Sequence, residues 1–260
     1  MSEKTWSDRR SRFSIGLAAG VVLAVVLAGL PTQGARAGGE NKKRTRQLIR
    51  ESTDTYDIVQ ADRQVGRETV TRSEFDDNTT RFEARTEMQM AHGAKVETDN
   101  DLLLEEDSHF PLSFKMNRVV RQENMEVEQI LDIDMVSNVA VIRAVTNGKE
   151  VVSRKILPTG TAIIDMMTAH QYYQPLYWYN RDSGGVQVFN VLDPLLKKEY
   201  SATMRLLQEE TIEIGGKPVA TSRFEYTREK LTALLWVDAD DRIVKVEQGF
   251  MIFTLTTDAE

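Results

Sequence analysis

Cysteine is absent from the 260 residues, so no disulfide can staple this fold and no thiolate can serve as nucleophile or metal ligand. The same absence excludes a bacterial lipoprotein anchor, which needs a cysteine at the cleavage point. Histidine is nearly as scarce. The 3 present, His92, His109 and His170, stand in separate segments, and no His-Glu-x-x-His run places two on one helix face. His92 and His109 sit beside turn residues and read as surface groups. His170 alone has an apolar setting, where a packed, hydrogen-bonded role is the expectation. A G-x-S-x-G elbow is missing, as are Walker-type and dinucleotide loops. No catalytic residue, metal ligand or cofactor is therefore assigned from the sequence.

The N-terminus reads as a targeting segment over residues 1–37. Lys4, Arg9, Arg10 and Arg12 precede an apolar run, Ile15 to Leu30, which Pro31 ends and Ala35-Arg36-Ala37 follows. This is the pattern of a cleaved signal peptide. The run is short of the ~20 residues that span a bilayer as a helix, which makes a retained anchor the second choice. Export to the periplasm is the expected localisation, with membrane contact only through this segment. Residues 38–52 (GGENKKRTRQLIRES) read as a flexible basic lead-in. The segment 1–37 carries five basic and two acidic groups, so without it the net charge moves from −7 to −10. An acidic surface favours solubility and argues against nucleic acid, whose binding is driven by neutralised phosphates.

From Thr53 to Glu260 the dominant period is two, and a single domain is expected. Phe82, Ala84, Thr86, Met88 and Met90 alternate with Glu83, Arg85, Glu87 and Gln89. Met125, Val127, Leu131, Ile133 and Met135 alternate with acids in the same way. Each run describes a strand with one dry and one wet side. Short turn signals separate the runs: Asp76-Asp77-Asn78, Asn147-Gly148 and Gly215-Gly216. Asp238, Asp240 and Asp241 could be taken for a metal cup. Counted from Asp238, however, the sixth position is Ile243 and the closing one Gly249, so the calcium-loop pattern fails. A hairpin tip between Leu231–Val237 and Ile243–Val246 is the expectation. The paired acids Asp132/Asp134 and Glu126/Glu128 read as a solvated strand face, and a carboxylate-based hydrolase is the least favoured reading.

One stretch breaks the alternation. Pro158 and Gly160 precede Ala162–Tyr173 (AIIDMMTAHQYY), which reads as a short helix with Ile163, Met166, Met167 and His170 along one side, ended by Pro175. Leu195–Glu199 is a candidate second helix. Tyr172, Tyr173, Tyr177, Trp178 and Tyr179 crowd together in a chain of only 7 tyrosines and 3 tryptophans. Such rings either rim a core or line an apolar ligand. The candidate ligand-binding set is Ile163, Met166, Met167, His170, Tyr173, Tyr177 and Trp178.

Two late runs, "ETIEIGGKPVATSRFEYT" (Glu210–Thr227) and "LLWVDADDRIVKVE" (Leu234–Glu247), resemble the closing strands of uncharacterised exported bacterial β-proteins. Those in turn are similar to the half-barrel lipoprotein carriers of the LolA/LolB and LppX type. The resemblance implies a curved antiparallel sheet with short helices on its concave side and a greasy cavity between, Ala162–Tyr173 taking the place of the covering helix. The expected fold is thus mainly β, a half-barrel of about 10–11 strands with one or two short helices. The expected function is non-enzymatic binding of an apolar or lipid-like molecule in the cell envelope. The alternative is a structural or protein-interaction module with an envelope protein partner and a solid interior.

Overall fold

The computed structural model describes residues 46–90, 93–165 and 167–256. The expected signal segment, residues 38–45, His92 and Met166 lie outside the described residues. The described chain is mostly strand and forms a single open, curved sheet of 15 strands with one short helix. The strands are β1 (Leu48–Gln60), β2 (Arg63–Phe75), β3 (Thr79–Gln89), β4 (Lys95–Glu105), β5 (Pro111–Gln122), β6 (Met125–Val136), β7 (Val139–Thr146) and β8 (Lys149–Ile156). The chain then crosses the concave face through β9 (Thr161–Ile163) and the helix α1 (Tyr173–Trp178) and continues as β10 (Val186–Asp193), β11 (Lys198–Ile214) and β12 (Lys217–Arg228). The chain closes with β13 (Leu231–Val237), β14 (Ile243–Gln248) and β15 (Met251–Leu255).

Two meanders build the sheet. β1 to β8 step outward in one direction and β9 to β15 in the other, and β15 pairs with β1 at the seam. Every pairing is antiparallel except β9 with β10, which is parallel. The expected half-barrel is thus present, with more strands than the 10–11 expected. The reason lies in the inward positions. β4 points Val96, Thr98, Asn100, Leu102 and Leu104 to the interior, and its two polar members blur the alternation that reveals a strand. β1 begins at Leu48, inside the expected lead-in, and pairs Leu48 to Ser52 with β2 although those residues are exposed. Sheet hydrogen bonding, rather than burial, orders that stretch.

Register stacks the inner face into rows running across the strands. Phe82, Leu102, Phe114, Ile133 and Ile142 stand opposite one another from β3 to β7. All five are buried, and fully burying a side chain of this size stabilises by about 1.5–3 kcal/mol. Further in, Glu68, Thr86, Thr98 and Arg118 form a second row from β2 to β5, all buried. The interior therefore carries a polar belt beneath its apolar layer.

The crossing segment departs from expectation. Thr161–Ile163 is strand, a 3₁₀ turn covers His170–Tyr172, and the helix begins at Tyr173, where the expected one ended. Pro175 sits within the first turn of α1, where its missing N–H costs nothing. The β-branched Thr161 and Ile163, with Ala162 between them, instead extend the sheet beside β10, and all three are buried. The candidate second helix at Leu195–Glu199 is absent. Asp193 accepts the Leu196 N–H at 2.9 Å, closing a turn between β10 and β11, and Lys198 and Glu199 already belong to β11.

Candidate functional site

The crossing segment from Leu157 to Tyr179 fills the concave face. Buried polar contacts pin it to the polar belt. Asp165 pairs with Arg118, whose Nε donates to Thr98 Oγ1 at 3.1 Å. Burial raises the Asp165 carboxyl above its ordinary range, and the Arg118 guanidinium opposes that rise. Glu68 accepts the Ala169 N–H at 2.8 Å and bonds His170 Nδ1 at 2.7 Å. Gln174 Oε1 accepts from Ile163 N at 2.9 Å, and Tyr172 Oη donates to Gln248 Oε1 at 2.8 Å. Tyr173 Oη accepts from Ile243 N at 3.0 Å, and Tyr56 Oη donates to Ile243 O at 2.8 Å.

The candidate residues do not converge on one cavity. Ile163 and His170 have 0% exposure and belong to the packed core. Met167 is partly buried against it, and Met166 lies outside the described residues. Tyr173, Tyr177 and Trp178 instead gather at one mouth of the half-barrel. Trp178 Nε1 donates to Ser108 O at 2.7 Å, with its rings against Phe110 and Phe189. Between the crossing segment and the sheet stand two buried polar pairs, Glu68 with His170 and Arg118 with Asp165.

Beside α1, the mouth opens into a cleft of about 450 Å³. Its floor is Val70, Phe82 and Tyr173; its rim carries Arg50, Asp54, Arg72 and Arg242. Asp240 and Asp241 also line it, from the β13–β14 hairpin expected there. Asp238 holds that hairpin, accepting the N–H of Asp240 at 3.0 Å and of Arg242 at 2.9 Å. Burial raises the Asp54 carboxyl, against Arg242 and Arg72. Arg72 lies over the rings of Phe82 and Tyr177, 6.0 and 5.7 Å from their centres. It pairs with Glu74 at 2.8 Å, while its buried Nε has no hydrogen-bond partner. Tyr177 stacks on Tyr173 at 5.9 Å and on His109 at 4.1 Å, and burial pushes its hydroxyl up to about 12. His109, expected at the surface, is half-buried in this stack. Burial and the nearby Arg72 lower its pKa.

Sequence reading missed Arg72, Asp54 and Arg242. A signal did exist: Glu68, Val70 and Arg72 share one phase of β2, so a charge stands on the inward face of an alternating strand. Two other grooves are weaker candidates. One of about 320 Å³ is lined by Phe110, Met135 and Gly160, among others. The larger, about 640 Å³, lies on the outer face, where Arg81 pairs with Asp101 at 2.8 Å and Glu83 at 3.0 Å. Arg85 and Asp132 of its lining are likewise paired, with Glu87 and Arg143 on the same face. The Glu68–His170 pair has the hydrogen bond of a carboxylate-oriented imidazole, but with both side chains at 0% exposure no substrate reaches Nε2. Among the described residues no three His, Asp or Glu groups gather as metal ligands, and no helix is long and apolar enough to cross a membrane.

The family described as a domain of unknown function (DUF6134) matches residues 56–256. Among curated proteins, none matches the chain. Its fold is similar to that of a crystal structure, a beta-barrel-like protein of domain of unknown function DUF1849 from Brucella abortus. The two are 12% identical with a TM-score of 0.54, over 82% of this chain and 98% of the other. At that identity the likeness is one of fold.

Proposed function

From the premise that this chain belongs to the DUF6134 family, we propose that it is a non-enzymatic, exported envelope protein that binds a small amphipathic molecule at the mouth of the half-barrel. The ligand has an apolar body and an acidic head group. The observation that carries this reading is Arg72, a partly exposed guanidinium that lines the cleft and lies over the rings of Phe82 and Tyr177. A carboxylate or phosphate oxygen accepts from such a group in a charge-assisted bond, and the Phe82 and Tyr173 rings offer the apolar body a surface. A cleft of about 450 Å³ falls in the range of small-molecule sites, ~300–1,000 Å³. The N-terminal segment over residues 1–37 supports export. The likeness to lipoprotein carriers then extends to apolar cargo, held at the mouth rather than inside.

Titration of the purified protein with a fluorescent fatty acid tests this. Saturable binding is expected, with a fatty alcohol of equal length binding more weakly. Arg72→Met should weaken fatty-acid binding by roughly 10–100-fold, the equivalent of a ~1.5–3 kcal/mol hydrogen bond to a charged group. No saturable binding, or binding indifferent to Arg72→Met, would remove the reading. The second reading, a protein-interaction module, is favoured by the uncovered edge of β8.

A further inference from the structure

The two ends of the sheet are finished differently. β9 is buried throughout and packs against β5. β8 pairs with β7 alone, and every residue in it except Lys155 is exposed. Val151, Val152 and Ile156 are 57, 59 and 74% exposed, with Val136 nearby at 65%. A regular, unbulged edge bearing apolar side chains is a template for another strand. Charges on an edge ordinarily repel such pairing, so the placement of the four on this strand, Lys149, Glu150, Arg154 and Lys155, decides the matter.

The turn determines which backbone groups face outward. Asn147 and Gly148, at φ 48° and 77°, form the two-residue type I′ turn, which makes Thr146 and Lys149 a hydrogen-bonded pair. Alternation then directs Lys149, Val151, Ser153 and Lys155 toward β7, and the N–H and C=O groups of Glu150, Val152 and Arg154 toward the open side. In an antiparallel pair, opposed residues must both point inward or both outward. A two-fold axis between identical strands therefore passes between a residue and its own copy. Centred on Val152, the pairing sets valine against valine and Glu150 against Arg154 of the second copy, twice; Lys149 then stands across from Lys155, whose ammonium already pairs with Glu199 of its own chain at 3.0 Å. Centred on Ser153 or Val151, neither charge meets an opposite one. Within its own chain, Glu150 already binds Arg143 at 2.9 Å. Arg154 forms no ion pair among the described residues.

We propose that β8 is a homotypic interface: a second copy of this chain adds antiparallel across β8, centred on Val152, and continues the sheet from one molecule into the next. Each hydrogen-bonded pair exchanges two main-chain bonds, about six in all, and opposite charges directly across strands add to them.

Light scattering and sedimentation of the purified chain should give twice the mass of one copy. Val152→Pro removes an outward N–H without touching a bond to β7, and should yield a monomer with an unchanged far-UV spectrum. Glu150→Arg and Arg154→Glu should each weaken the dimer at least ~10-fold, and the double variant should restore it because the charges oppose again. This reciprocal pair keeps the test decisive if Val152→Pro fails to fold. As the chain has no cysteine, Val152→Cys supplies one thiol that a short bismaleimide should join to its copy. A monomer at every concentration, or a dimer indifferent to all these variants, would overturn the proposal.

Discussion

Glu97 shows how a single partly exposed residue on this sheet is tuned. Lys95 and Arg121 hold its carboxylate at 2.6 and 2.8 Å, and their hydrogen bonds lower its pKa from 4.5 to about 2. Because the folded value lies below the unfolded one, the stability this group contributes is complete above about 4.5 and is lost as pH falls toward 2. The contribution is small, since an exposed pair is screened by solvent. A carbon-detected NMR titration of the Glu97 carboxyl should give a midpoint near 2, and Arg121→Ala should move it back toward 4.5. At Arg72 the same chemistry serves a different end. A guanidinium on the inward face of β2 pairs with Glu74 and also lines the cleft.

At the scale of the element, the crossing segment lacks the repeated helical turns that would hold it together. Its shape is imposed by side chains reaching the belt on β2 to β5, above all through Asp165–Arg118 and His170–Glu68. Removing one partner of a buried pair strands the other charge, at a cost of about 3–5 kcal/mol. Asp165→Asn should accordingly lower stability by about that amount in urea unfolding. It should also expose the stretch around residues 165–170 to protease before the sheet melts. The double change Asp165→Leu with Arg118→Met should recover most of the loss, because neither charge is then left buried alone.

For the whole molecule, the seam between β1 and β15 joins two otherwise local meanders. Phe253 stands on it, opposite Ile58 and Val246, with 0% exposure. Phe253→Ala should cost about 3–5 kcal/mol, read as a fall in the urea midpoint followed by tryptophan fluorescence. The seam pairs residues almost 200 positions apart, as in Tyr56 with Leu255. Closure entropy precedes that contact, so refolding should be slow for a single domain, in milliseconds to seconds or longer.

The strands with one dry side were legible because period-two alternation is a local property. Phe82 to Met90 faces inward as read, and Asn147-Gly148 turns the β7–β8 hairpin. Strands whose inward residues are polar were harder to see. Thr98, Asn100, Glu68 and Arg118 look like surface positions until the sheet curls, and the crossing segment brings Asp165 to Arg118 and His170 to Glu68. The helix moved for a related reason: Thr161–Ile163 can be strand only because β10, later in the chain, offers an edge. Local pattern and turn chemistry alone thus determined the class of fold and its hairpins, because they depend on neighbours a few residues away. The curled sheet decided which polar pairs stand in the interior and which arginine met which ring, because those contacts join residues that only long-range pairing brings together.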